Sequence, residues 1–300
     1  MYDSSDLRST LASAPRAKVP VTDYADADMI EFHEVPPSDT GAGYRTWYGR
    51  GQNFIVAYTE ADTGAMLERS SQPDEYMLFL PREDVRIDID TDAGSAIDVA
   101  HKLAIIPPGR SAVRVKAGGV IIRLFSTQSP ELVALCHNRE SYAAAHPNIP
   151  PFRAWPDPVG GFKLRVYPMD PPDVPGRFGR IYRSTNMMVN VMPPALEPRD
   201  PNKMSPHHHD DFEQCSLSLL GDYIHYIRWP WTANKAIWRK DAELFCRAPS
   251  MTVIPPPAIH TSQSLPPAPC QLIDIFSPPR VDFSEKGWVL NADDYPMPVA

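Results

Sequence analysis

Residues 206–213 read PHHHDDFE, which places three consecutive histidines beside two aspartates and a glutamate in a chain with only nine histidines among 300 residues. Imidazoles and carboxylates are the ordinary ligands of divalent cations. On an extended segment alternate side chains share a face, so His207, His209 and Glu213 point one way. Cys215, Leu217 and Leu219 continue that face, while Gln214, Ser216 and Ser218 take the other. The odd-numbered face, being apolar, is read as the interior of a β-barrel, with two imidazoles and a carboxylate at its entrance. Such a group is costly to bury without a partner, and a divalent cation is a partner that fits. A fourth ligand, His260, follows the proline turn IPPPAI.

Neighbouring residues sort by the same logic. His208 has the opposite parity and is read as pointing outward, and Asp210 and Asp211 as solvating the loop. In DYIHYIRWPW, parity favours Tyr223 and His225 as pocket-lining, with the phase subject to Gly221. Ser262 lies two residues after His260 and shares its face, which makes it a third substrate-facing position.

The elements that must hold these residues are strands. The chain contains 35 prolines, which helices and central strands tolerate poorly. Short β-branched and aromatic runs such as NFIVAY, YMLFL, VIIRLF, YIHYIRW and QLIDIF are bounded by Gly, Pro, Asp or Ser, as strands are. One helix is expected at SPELVALCHNRESYAAA, with Ser126 or Ser129 as its cap. The halves also parallel each other. Residues 53–61 match 186–195, 73–80 match 211–220, 104–112 match 252–260, and 120–130 match 271–279, in the same order. These matches predict a duplicated all-β unit: an arm over 1–28, a first barrel over 29–136, a linker with a short helix over 137–165, and a second barrel over 166–300.

The formal net charge of −8 argues against a nucleic-acid partner, and no basic run suggests a membrane surface. The N-terminus has no apolar stretch of the secretory kind. Cys136, Cys215, Cys246 and Cys270 are scattered, which points to reduced thiols and a cytoplasmic protein.

His207, His209, Glu213 and Gly221, followed by Pro255, Pro257 and His260, resemble the two motifs of the cupin superfamily, with proline in place of the second motif's glycine. The resemblance implies two cupin-type β-sandwich barrels of the double-stranded β-helix (jelly-roll) kind, that is, a bicupin. In the first half Glu75 aligns with Glu213, but Arg69, Ser71 and Ala112 fall where His207, His209 and His260 stand, so that barrel is expected to be metal-free. The resemblance further implies one divalent metal in the second barrel, Fe(II) first, with Mn(II), Ni(II) or Zn(II) as alternatives. Cupins with this ligand set include dioxygenases, decarboxylases, isomerases and lyases. The leading expectation is an Fe(II) dioxygenase acting on a small oxygenated acid, aromatic acids included. The alternatives are a redox-neutral isomerase or lyase on a sugar acid, and a non-catalytic small-molecule-binding bicupin. The expected partner is a small molecule, and a homodimer is left open.

Overall fold

The computed structural model describes residues 6–11 and 22–298. Most of the 1–28 arm, residues 1–5 and 12–21, lies outside the described residues. The described chain is built from twenty short strands with two α-helices of four and five residues, Pro130–Val133 and Val281–Glu285. The ladders joining the strands are antiparallel, as a proline-punctuated all-β chain requires.

Two barrels result. In the first, a seven-stranded sheet containing Phe54–Ala61, Tyr76–Phe79 and Gly119–Ser126 faces a four-stranded sheet containing Met66–Gln72 and Gly109–Ala117. In the second, a six-stranded sheet centred on Glu213–Leu220 and Gln271–Ser277 faces a three-stranded sheet of Asp222–Arg228, Ala242–Arg247 and Ile259–Ser264. Gly221 turns the first of these central strands into the facing sheet at φ +79°, where a Cβ would meet the Cys270 sulfur at 2.4 Å. A side chain is excluded there on both counts.

The expected domain boundaries shift, because the barrels exchange edge strands. Asp28–Glu31 pairs with Ser250–Ile254 of the second barrel, and Arg165–Pro168 pairs with Lys102–Ile106 of the first. Each half thus completes the other's sheet. The expected helix is also shorter than read. It stops at Val133, and the chain then turns so that His137 N–H donates to Tyr48 and Asn138 caps Arg50 N–H. Ser129 stands at its N-cap, but its hydroxyl accepts from Gln72 instead of capping the helix.

The largest apolar core lies between the barrels. Phe54, Val56, Met77, Phe79, Ile122 and Leu124 of the first sheet pack in one cluster with Val189, Cys215, Leu217, Met251, Val253, Ile273 and Ile275 of the second. A separate cluster fills the interior of the first barrel, including Tyr76, Leu78, Ile87, Val113 and Phe125. In the second barrel the apolar packing is divided among three smaller clusters, around Phe276, Ile227 and Leu272. The polar even-numbered face of Glu213–Leu220 turns toward this barrel's interior, and the cavity opens there.

Candidate metal centre

His207 and His260 are held opposite each other by a two-way backbone bridge, His207 N–H to His260 O at 3.1 Å and the reverse at 2.8 Å. The proline turn closes through Ala258 N–H to Pro255 O at 3.1 Å and delivers His260 to that position. The His207 and His260 ring centroids are 4.5 Å apart, and those of His209 and His260 5.1 Å. His208 is exposed, in keeping with its parity, and so is Asp211.

Each of the three rings places Nδ1 against a backbone carbonyl: His207 on Ser205 at 2.8 Å, His209 on Phe212 at 3.0 Å, and His260 on Ala258 at 3.0 Å. A carbonyl only accepts, so Nδ1 carries the proton and, in a neutral ring, Nε2 presents a lone pair. Burial keeps the rings neutral. It pushes His260 down to about 4 and His207 and His209 well below their usual range, with the neighbouring His260 adding to the effect on both.

Glu213 does not join them. This corrects the sequence expectation of a glutamate ligand. Its buried carboxylate accepts Gln52 N–H at 2.8 Å and Asn53 N–H at 3.2 Å, both from the first barrel. Burial pushes it up to about 7 against the pull of those two donors. The alternation holds within Glu213–Leu220, but the chain bends at residues 210–212 before that strand begins, so Gln214 and not Glu213 comes into phase with His207 and His209. The apolar odd face found its partner in the other barrel's sheet, which left the even face turned inward.

Gln214, one residue on, points into the site. Its Oε1 lies 3.1 Å from His209 Nε2 and 3.2 Å from His260 Nε2. Its Nε2 donates to Asp274 Oδ1 at 3.3 Å, which fixes the amide with oxygen toward the histidines. Three lone-pair atoms therefore meet with no proton among them, an arrangement a cation satisfies. Two ligands at right angles, each about 2.1 Å from an ion, are about 3.0 Å apart, close to these separations. Counting only His, Cys, Asp and Glu, no group of three among the described residues is arranged to hold a metal. The Gln214 amide oxygen is what joins His209 to His260.

Asp274 sits behind Gln214 and also receives the Ser216 hydroxyl at 3.3 Å. Burial raises its carboxyl to about 6. A cavity of about 360 Å³ lies in front, lined in part by His207, Gln214, His260, Tyr223, Ser262 and Asp274. His225 lies behind Ser262, its Nδ1 2.7 Å from the Ser262 hydroxyl. Burial lowers His225 to about 4. Arg8, Arg199 and Arg280 line the same cavity with Phe178, Phe276 and Phe283. No motif or spacing in the sequence marks the arginines. The Gln-x-Ser-x-Ser alternation is visible in the sequence, but on the face that alternation alone places opposite the histidines. A larger, open cleft of about 870 Å³ on the first barrel runs past Gly41, Tyr44 and Gly119, and no histidine lines it.

In the first barrel Tyr76 takes the place matching Gln214. Its hydroxyl meets Ser111 at 2.9 Å and its ring stacks on Phe125 at 4.7 Å. Glu75 turns away as Glu213 does, accepting Thr185 N–H at 3.3 Å, the Thr185 hydroxyl at 3.1 Å and the Tyr295 hydroxyl at 2.9 Å.

Neither a protein-family model nor a curated protein matches the sequence. Solved structures do. AerE from Microcystis aeruginosa is 9% identical with a TM-score of 0.54, covering 80% of this chain and 95% of its own. An oxalate decarboxylase, studied for its substrate binding mode and reaction-specificity switch, is 14% identical with a TM-score of 0.50, covering 86% and 79%. The fold is that of a bicupin. At these identities the likeness concerns architecture alone, and the two halves of this chain differ in what lines their interiors. No helix among the described residues is long and apolar enough to cross a membrane.

Proposed function

We propose that this bicupin is a mononuclear metal-dependent enzyme acting on a small oxygenated acid in its C-terminal barrel. The supporting observation is the convergence of His209 Nε2, His260 Nε2 and Gln214 Oε1 without a shared proton. His207, His209, His260 and Gln214 would hold one divalent ion, with the amide in the position expected of Glu213. Such an ion would supply Lewis acidity and, as iron, chemistry with O2. With four neutral donors the ion keeps its full double charge, which favours an anionic substrate. Phe178, Phe276, Phe283 and Tyr223 around the cavity suit an aromatic or otherwise flat acid. Tyr223 and Ser262 would contact it, with His225 fixing the Ser262 hydroxyl.

An Fe(II) dioxygenase is the first reading. The second, a redox-neutral lyase or isomerase, draws on Asp274, a half-buried carboxyl on the cavity wall raised to about 6 and able to exchange protons near neutrality, and on the likeness to oxalate decarboxylase. The four cysteines are unpaired and buried, which agrees with a reducing, cytoplasmic location. The test is turnover of a panel of small aromatic and hydroxy acids by protein reloaded with Fe(II), Mn(II) or Zn(II), in air and under argon. The dioxygenase reading expects O2 uptake with Fe(II) and none with Zn(II). Full turnover under argon would replace it with the second. Failure of any metal to bind would end both.

A further inference from the structure

The geometry points to Arg199, covered by Arg8 of the N-terminal segment, as the anchor for the substrate's carboxylate. This rests on the reading of the C-terminal cavity as a small-acid site.

Arg199 is a half-buried guanidinium on the cavity wall. Its Nη1 donates to Ser262 O at 2.9 Å, and its Nη2 to Ser205 Oγ at 2.7 Å and Lys203 O at 3.2 Å. All three acceptors are neutral, and no ion pair is formed by Arg199 among the described residues. Charges withdrawn from water are ordinarily paired. Of five N–H donors, these bonds use three, leaving Nε–H and one Nη1–H for a ligand. The Ser262 and Ser205 contacts tie the guanidinium to the strand of His260 and to the loop of His207, so its position is fixed relative to the histidines.

Arg8 approaches from outside both barrels. The short 3-10 turn Leu7–Thr10 lies across the mouth, with the Arg8 guanidinium 4.7 Å above the Phe178 ring and paired with Asp6 at 2.7 Å. Leu11 packs against the aromatic cluster of Phe212, Phe276, Phe283 and Trp288. The cavity wall thus carries Arg8, Arg199 and Arg280 together with the carboxylates of Glu197 and Asp274, and Asp6 pairs with Arg8 while its charge also bears on Arg199. A substrate carboxylate would take the two N–H donors that Arg199 leaves unused, and its other end would then face Gln214 and His260. The other arginine on the wall, Arg280, is already paired with Asp282 at 2.6 Å, which leaves Arg199 as the cation that selects for negative charge.

The test uses the full chain as purified, with benzoate and its neutral isostere benzamide as probes in titration calorimetry, and with bound metal quantified on each sample. One charge-assisted hydrogen bond is worth about tenfold or more in affinity. The wild type is expected to bind benzoate at least about tenfold tighter than benzamide. R199Q is expected to lose that preference with metal content unchanged, R199K to keep part of it, and R8Q to weaken benzoate about threefold or more. Equal binding of benzoate by wild type and R199Q, or no preference over benzamide in the wild type, overturns the assignment. Should R199Q fail to fold, R8Q decides, since its segment lies outside both barrels: unchanged benzoate affinity there overturns it. A wild type without metal that still prefers benzoate through Arg199 would remove the metal reading and leave this one standing.

Discussion

The carboxylate of Glu213 receives the backbone N–H of Asn53 from the opposite barrel at 3.2 Å. The internal repeat pairs Asn53 with Asn186 and Glu213 with Glu75, and Glu75 in turn receives the N–H of Thr185, next to Asn186. The two glutamates are therefore reciprocal clasps, each closing a loop of the other barrel. A repeated glutamate that resembles a ligand in sequence is here a device for docking two sheets, and the residue after it decides which barrel holds a polar site. Gln214 in the second barrel opens one, whereas Tyr76 in the first fills the space.

The first prediction separates the glutamate from its neighbour. H209A and H260A should remove most bound metal. Q214A should lower metal affinity by at least about tenfold, whereas E213Q should leave it within about twofold, because Glu213 faces away. Elemental analysis of the purified variants reads this directly. Metal loss in E213Q with retention in Q214A would restore the glutamate as ligand.

Much of this was legible in the sequence, and the misreading has a physical origin. The strand pattern, the duplication and the positions of His207, His209 and His260 are local, and they follow from period-2 alternation and turn residues. What alternation cannot say is which of two apolar demands a face will meet. Apolarity alone places Leu217 and Cys215 in the barrel interior. A second sheet of equal apolarity, from Phe54 to Leu124, was available to bury them more completely. The exchanged edge strands are equally invisible to local pattern, since pairing Asp28–Glu31 with Ser250–Ile254 spans most of the chain.

The interface reading of Leu217 carries its own test. Leu217 is fully buried between the barrels, so L217A should cost about 2–5 kcal/mol of stability while leaving metal content unchanged. Urea unfolding followed by metal analysis of the folded fraction measures both. A loss of metal without a loss of stability would place Leu217 in the barrel interior after all.

The pH dependence of stability follows from Glu213. Burial lifts its carboxyl from 4.5 to about 7. Between those values the unfolded chain gives up the proton while the folded chain keeps it. Its contribution is therefore full below about pH 4.5 and is lost as pH rises through 7. Asp274, raised to about 6, acts in the same sense. His260 and His225, both lowered to about 4, act in the opposite sense, their contributions being present above 6.5 and lost as pH falls through 4. E213Q removes only the Glu213 titration. Its melting temperature relative to the wild type should climb from pH 5 to pH 7.5, and a difference that stays constant across that range would contradict the assignment.

The strand exchange predicts how the chain can be divided. A cut at residue 137, where the repeat suggests a boundary, strands Asp28–Glu31 with the first half and Arg165–Pro168 with the second. Each half would then lack an edge strand, lose its Glu75 or Glu213 clasp, and expose the apolar sheet face now shared between the barrels. An unpaired edge beside a large apolar face favours aggregation. Residues 1–136 and 137–300 expressed separately should be insoluble or molten, whereas co-expression should recover a complex with the thermal transition of the intact chain. Two independently soluble halves with sharp melting transitions would show that the exchanged strands and the paired glutamates contribute little to folding.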